Sequence, residues 1–264
     1  MYEENTQKVK RPKVIAVANQ KGGVGKTNIT FNLSGALAEK NKRILLIDLD
    51  QQGNLSSSFL ENIYHLKFTV ADLFLDNDID IAKVIQKTPF QNIDIIPSNI
   101  YLSKIDFHLA GEPDAQYFLA DKLKDLEEGY NYIIIDCPPG LGLATRIGLV
   151  AADKVIIPLE CQEWAVKGTA YLRDAITRIR KRANPKLKIM GYLINKFVGR
   201  RKLEEVYHAT ILESFKDKVF KVELKNSVKY AEAATLKRPI TNYLPSSEQA
   251  ETYRKLAQEI INHD

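Results

Sequence analysis

Cysteine is nearly absent from this chain. Cys137 and Cys161 are the only two in 264 residues, too few and too far apart for a disulfide framework or a thiolate metal cage. Such a chain suits a reducing compartment, and a cytoplasmic location is expected. Long apolar runs are missing too: no stretch approaches the roughly 18 residues that suggest a membrane span. The segment Met1–Lys13 is polar and mixed in charge, without the apolar centre of a signal peptide. No internal repeat or low-complexity linker divides the sequence, so one domain is expected over 1–264, with 1–12 as a flexible N-terminal tail. Only about a dozen residues precede the first apolar strand. His65, His108 and His208 are scattered and read as structural or surface residues.

What the chain does contain is unevenly distributed. Hydrophobic residues make up 45% and charged residues 27%, the composition of a packed globular domain. The net charge of +5, however, hides two halves of opposite sign. Residues 1–160 carry 17 Lys and Arg against 21 Asp and Glu; residues 161–264 carry 21 against 12. From Arg173 to Lys202 there are eleven basic residues and a single acid, Asp174. A bias of that size points to a polyanionic partner, either nucleic acid or an anionic membrane.

The organising element is Lys21-Gly-Gly-Val-Gly-Lys26-Thr27. Before it runs the β-branched apolar stretch Val14–Ala18, a buried strand. After it Ile29, Leu33, Ala36 and Leu37 recur at helical spacing. Strand, glycine loop and helix form a phosphate cradle: backbone N–H groups converge on phosphate oxygens, and the helix N-terminus adds its positive dipole. Nucleotide contacts are therefore expected from Lys21, Gly22, Gly23, Val24, Gly25, Lys26, Thr27 and Asn28. Lys26 is expected to reach the β- and γ-phosphates, and the Thr27 hydroxyl to hold Mg²⁺. The general motif places a glycine at position 20, where this chain has Gln20, and it adds a second lysine, Lys21, that needs an anion of its own.

Two further acidic strand ends follow in order. Arg43–Ile47 leads into Asp48-Leu-Asp50-Gln-Gln-Gly53-Asn54, and Tyr132-Ile-Ile-Ile leads into Asp136-Cys-Pro-Pro139-Gly-Leu-Gly142. Carboxylates just past parallel strands sit where α/β sheets bind ligands. Asp50 is expected to orient the attacking water, Asp48 to support the magnesium shell, and Asp136 to bind Mg²⁺ through water. Further strands are expected at Ile93–Pro97, Lys154–Pro158 and Leu187–Ile194. Thr69 is expected to cap a short helix through Leu75. Helices are expected at Asn99–Leu109, Asp114–Leu126, Glu163–Arg182 and Glu248–Ile261. Strands alternating with helices imply an α/β fold with a doubly wound, mostly parallel sheet.

Together these motifs resemble the ParA/MinD ATPases, whose deviant Walker A loop reads K-G-G-V-G-K-T. The resemblance runs from Val14 to the last helix and is specific at Lys21–Thr27, Asp48–Asn54 and Asp136–Gly142. It departs at Gln51, where the family has proline, and at Gly140, where it has serine. It implies an Mg²⁺-dependent ATPase in which Lys21, Lys26 and Asp50 are catalytic. It also implies a homodimer in the ATP state, with Lys21 reaching the partner's nucleotide. By the same resemblance Asn195 reads the adenine. The segment Lys196–Lys202 resembles the loop with which chromosomal ParA proteins grip DNA, and a second family arginine falls on Lys229. Arg200, Arg201, Lys202, Lys225 and Lys229 are thus the expected face for non-specific double-stranded DNA.

The implied function is segregation or positioning of plasmid or chromosome DNA on the nucleoid, with a ParB-like partner that stimulates hydrolysis. Positioning of a protein cargo is the alternative within the same class. A MinD-like membrane ATPase needs a basic amphipathic tail, but in Glu248–Asp264 acids outnumber the bases Arg254 and Lys255, so no membrane partner is expected. A nitrogenase-reductase-like carrier needs cluster-binding cysteines, which Cys137 and Cys161 do not supply. A non-catalytic phosphate-binding module would not need Asp50 and Asp136.

Overall fold

The computed structural model describes residues 11–76, 78–109, 111–126, 129–199 and 202–263. Most of the expected N-terminal tail lies outside the described residues. Eight strands form one sheet: β1 (Lys13–Val17), β2 (Ile44–Asp48), β3 (Gln86–Lys87), β4 (Ile93–Ile96), β5 (Tyr132–Asp136), β6 (Lys154–Leu159), β7 (Lys188–Phe197) and β8 (Leu224–Lys225). Their spatial order is β3-β4-β2-β5-β1-β6-β7-β8. All pairings are parallel except the edge pair β3–β4.

The strands are continuous apolar runs because both faces of the sheet are covered. In β1, Val14 and Ala16 join one core with Ile133 and Ile135 of β5. Ile15 and Val17 join the other with Ile44, Leu46 and Ile134. Six helices matter most for the site and its surroundings: α1 (Lys26–Glu39), α2 (Asn54–Phe59), α3 (Leu143–Ala151), α4 (Ala170–Arg182), α5 (Lys202–Phe215) and α6 (Val228–Thr235). A seventh, α7 (Glu248–Asn262), closes the chain against α1. Ile29, Leu33 and Leu37 of α1 pack with Tyr253, Leu256 and Ile260 of α7 on one face of the sheet. Ile147 and Leu149 of α3 and Leu172, Ile176 and Ile179 of α4 fill the other.

From β1 the chain runs outward to β2 and β4 on one side, then returns through β5 and crosses to β6, β7 and β8 on the other. The connections diverge beside β1, which puts the ligand crevice at its C-terminal end. That is where Lys21–Thr27 lies.

The predicted Thr69 cap is present as a full capping box: Asp72 accepts from the Thr69 N–H at 2.6 Å and starts Val70–Leu75. Other expectations need correction. The helix expected over Glu163–Arg182 is a short turn, Ala165–Gly168, followed by α4, with Gly168 at the joint. The helix expected over Asn99–Leu109 is a 3₁₀ segment, Ile100–Lys104, running into Ile105–His108. The one expected over Asp114–Leu126 shortens to Ala115–Tyr117 and Phe118–Lys122. Apolar spacing marks a buried stripe but does not fix where a helix ends. The segment after Ser227 is helix α6, capped by the Ser227 hydroxyl, which accepts from the Lys229 N–H.

Candidate functional site

The loop between β1 and α1 depends on its glycines for a physical reason. Gly25 has φ +90°, in the left-handed region that residues with a Cβ avoid. A Cβ there would lie 2.2 Å from Asn195 Nδ2. The Asn195 amide instead donates to the Val24 carbonyl at 2.8 Å, holding the loop from beneath. At the loop entrance the Lys21 N–H donates to Asn19 Oδ1 at 2.9 Å, and Asn19 Nδ2 donates to the Pro158 carbonyl at the end of β6. The loop is thus pinned to β6 and β7 before any ligand enters.

A cleft of ≈ 580 Å³ opens above it, lined among others by Gly22, Lys26, Thr27, Asn28, Asp50 and Asn195. Its size suits a nucleotide. Lys26 is nearly buried, and its Nζ donates to the Lys21 carbonyl at 3.2 Å. Burial lowers its pKa, while Asp136, Cys137 and Asp50 pull it back up. An ammonium held among carboxylates at a converging N–H cradle is built to meet phosphate.

The three expected carboxylates do different jobs. Asp48 and Asp136 stand side by side in register on β2 and β5, both fully buried. Both oxygens of Asp48 are taken by the protein: Oδ1 accepts from the Asp50 N–H at 3.0 Å, and Oδ2 from the Ser56 N–H at 2.9 Å and hydroxyl at 2.7 Å. Asp48 therefore braces the loop that carries Asp50 and the start of α2. Burial pushes its pKa up to about 6 against those hydrogen bonds. Asp50 is half-exposed at the mouth, with Oδ1 accepting from the Gln52 N–H at 2.9 Å.

Asp136 is the exception. Both of its carboxylate oxygens are buried without a hydrogen-bond partner. Burial, and next the neighbouring Asp48, push its pKa well above the ordinary range, while Thr27 and Lys26 favour the charged form. A buried, unsatisfied carboxylate costs on the order of 1–3 kcal/mol or more. Next to a threonine hydroxyl and a phosphate cradle it fits a hard divalent cation, with Thr27 and Asp136 as the residues to hold it. No cluster of three or more His, Cys, Asp or Glu occurs among the described residues. Magnesium does not need one, because it takes most of its ligands from phosphate and water.

The loop after β5 closes the mouth. The Gly140 N–H donates to the Gln20 carbonyl at 2.9 Å, tying the segment Pro138–Gly142 to the phosphate loop. Gly140 has φ +87°, which accounts for glycine at this position.

Several residues at the mouth carried no signal in the sequence. Glu160, just past β6, accepts from Lys196 Nζ at 2.8 Å and lies 3.7 Å from Lys21 Nζ. Gln162 also accepts from Lys21 Nζ and donates to Glu160 at 2.8 Å. Lys196 sits at φ +57° and donates to the Gly23 carbonyl. Glu160 and Gln162 could not be found from spacing because they follow an ordinary apolar strand. Lys196, expected to open a DNA-gripping loop, belongs to the nucleotide mouth.

The expected DNA face is only partly assembled. Arg200 and Arg201 lie outside the described residues. Lys202 opens α5 and is exposed. Lys225 lines the nucleotide cleft and pairs with Glu248 at 2.7 Å. Lys229 is the second residue of α6 and helps lower the pKa of Glu248. His208 pairs with Glu223 at 2.6 Å and stacks on Phe197, a structural role as expected.

Comparison with known proteins agrees with this geometry. The family model AAA_31, an AAA domain, matches residues 12–189. The chain is 40% identical over 250 residues to an uncharacterized protein of Mycobacterium tuberculosis, covering 95% of this chain and 79% of that protein. It is 37% identical over 248 residues to the sporulation initiation inhibitor protein Soj of Bacillus subtilis, covering 94% of this chain and 98% of Soj. Among solved structures, a cobyrinic acid a,c-diamide synthase from Mycobacterium smegmatis with bound ATP analogue and magnesium superposes with TM-score 0.83 at 29% identity. That match covers 96% of this chain and 95% of the synthase.

Proposed function

The chain belongs to the ParA/MinD-type ATPase family, and from that premise we propose that it is an ATP-switched, DNA-gripping dimer that segregates or positions DNA. ATP hydrolysis with Mg²⁺ is the activity of the family. The observation that carries the reading is the fully buried Asp136, whose oxygens make no hydrogen bond of normal geometry, beside Thr27 and Lys26.

The residues divide the work. Backbone N–H groups of Gly22–Thr27 and the start of α1 receive the phosphates, and Lys26 neutralises charge between them. Thr27 and Asp136 would hold Mg²⁺, which would supply positive charge to the phosphate oxygens. Asp48 supports that site by bracing the loop, and Asp50 orients the attacking water. Phosphoryl transfer asks the protein mainly for such positioning. Asn195 keeps the loop in shape and stands at the base side of the cleft.

Dimerisation would bring Lys21 to the partner's nucleotide. Lys21 shares a second cleft with the exposed aromatics Trp164 and Tyr171, 64% and 66% accessible. Two large exposed aromatics beside a functional lysine are the composition of an interface core. Pairing two basic halves then gives one surface for duplex DNA, with Lys202, Lys225 and Lys229 and the flanking Arg200 and Arg201 as its contacts. A ParB-like protein stimulates hydrolysis and releases the dimer. A membrane-directed variant is disfavoured because Tyr253, Leu256 and Ile260 of α7 are buried, so its apolar face is already used. No described helix is long and apolar enough to cross a membrane.

The test is binding to random-sequence duplex DNA with ATP, ADP or no nucleotide, at low and moderate salt. ATP-dependent binding is expected, falling by about 0.9 log units per log unit of salt for each phosphate contact. An intact ATP dimer without DNA binding would overturn the DNA reading in favour of a protein-directed relative.

A further inference from the structure

A cleft of ≈ 600 Å³ lies beside the N-terminal half of β7, between α4 and the turn Lys216–Lys218 that follows α5. It is separate from the phosphate loop: Lys188 lies seven residues before Asn195, about 23 Å along the strand. Arg173, Arg180, Lys188, Lys216 and Lys218 line it, with Asp217 as the one acid. Some cations of the basic half pair with carboxylates, as in Lys196–Glu160, Lys225–Glu248 and Arg254–Glu39, but the pairing does not reach this cleft. None of these five forms an ion pair among the described residues.

The cleft is also shaped in advance. Arg173 and Arg180 are seven residues apart on α4, about 10.5 Å along one face. The Arg173 guanidinium lies 6.0 Å over the ring of Phe215, which is itself stacked on Tyr192 at 3.7 Å. That stack fixes the guanidinium over a buried aromatic floor. On the opposite wall Lys216 has φ +49°, a left-handed conformation that costs a lysine about 1–2 kcal/mol. Backbone strain of this kind collects at ligand sites. Here it turns the chain after α5 so that Lys216 and Lys218 face α4.

We propose that this cleft is a second anion site, which takes a compact, multiply charged phosphate compound such as an oligophosphate or the polyphosphate chain of a nucleotide. Arginine forks and lysine ammonium groups are the side chains that bind phosphoryl oxygens. The volume falls in the range of small-ligand sites, roughly 300–1,000 Å³. An open cleft of that size can seat a short phosphate chain between its two walls, whereas a duplex, being a convex rod, would meet chiefly its rim.

The test is isothermal titration of the full chain with sodium tripolyphosphate at low salt without Mg²⁺. The parent carries Lys26→Ala, so that the phosphate loop does not compete. One equivalent is expected to bind, more weakly as salt rises. Arg173→Gln with Arg180→Gln on one wall, and separately Lys216→Gln with Lys218→Gln on the other, should each weaken binding at least about tenfold, the loss of 1.4 kcal/mol. All four side chains are exposed, so these variants should fold like the parent. Lys21→Ala, at the nucleotide mouth, should leave binding unchanged. Absence of binding, insensitivity to both pairs, or loss with Lys21→Ala would overturn the site. So would a short DNA duplex that binds through these four residues when tripolyphosphate does not, making the cleft a nucleic-acid face instead.

Discussion

The ammonium of Lys21 lies 3.7 Å from the carboxylate of Glu160 in its own chain. Glu160 is held in turn by Lys196, which also donates to the Gly23 carbonyl of the phosphate loop. In the single chain, the lysine expected to act across a dimer interface is therefore occupied in cis by Glu160 and Gln162.

Glu160→Gln should loosen that hold while keeping the hydrogen bond to Lys196. The Lys21 end of the pair is exposed, so its worth is at most about 1 kcal/mol. The ATP-dependent dimer should accordingly tighten by up to about fivefold in sedimentation equilibrium. The gain should vanish in a Lys21→Ala background. A weaker dimer in Glu160→Gln would show that Glu160 positions Lys21 for the partner instead of restraining it.

Asp50→Ala separates positioning of water from integrity of the loop. The loop is anchored through the Asp50 N–H and Ser56 to Asp48, and the backbone bond survives the substitution. ATP binding should therefore persist, while turnover falls by about 10²–10⁴, the usual worth of a positioned acid–base group. The ATP dimer should accumulate and hold DNA persistently. Brisk phosphate release from this variant would remove Asp50 from the mechanism.

Much of this site was legible in the sequence because it rests on backbone chemistry. Glycines before a helix and acids after apolar strands have few other reasons to occur in that order; Gly22, Gly23, Gly25, Lys26, Thr27 and Asp50 line one cleft, Lys21 lines a second one, and Asp136 is buried at the end of β5. What could not be read depends on side-chain contacts between elements, which spacing does not fix. Asp48 looks like Asp50 in the sequence, and only the Ser56 hydroxyl shows that it is a brace. Lys225 looks like a free surface cation, and only Glu248, 23 positions later, shows that it is paired. The helix Lys202–Phe215 shows no apolar stripe to read, because its buried residues, Ile211 and Phe215, fall only in its second half.

Gly140→Ser restores the residue the family carries at this position, yet it should destabilise this chain. Nothing lies within 4 Å of a Cβ built there, so no clash opposes it. The cost is the left-handed φ of +87°, about 1–2 kcal/mol for a residue with a Cβ. The loop can escape it by releasing the Gly140 N–H from the Gln20 carbonyl. A lower melting temperature, or faster hydrogen exchange confined to 138–142, is expected. An unchanged protein would mean that the loop tolerates both conformations equally.

Asp136 gives the site a dependence on pH whose sign can be worked out. A carboxylate whose pKa is raised by folding binds its proton more tightly in the folded chain. Its contribution to stability is therefore full below the unfolded pKa and is lost as pH rises through the folded value. For Asp48 that window runs from near 3.8 to about 6. For Asp136, where burial and the neighbouring Asp48 outweigh Thr27 and Lys26, stability should keep falling above that range. Asp136→Asn removes this titration. The nucleotide-free variant should melt above the unmodified protein at pH 7.5, by about 2–4 °C for each kcal/mol of relief. The advantage should shrink toward pH 5, as the pH approaches the ordinary carboxyl value of the unfolded chain. With Mg²⁺ and ATP the order should reverse, because the unmodified protein is stabilised by a ligand whose cation the asparagine holds poorly. Equal melting temperatures at pH 7.5 and pH 5 without nucleotide would mean that Asp136 is compensated inside the fold. It would then lose its claim to the cation.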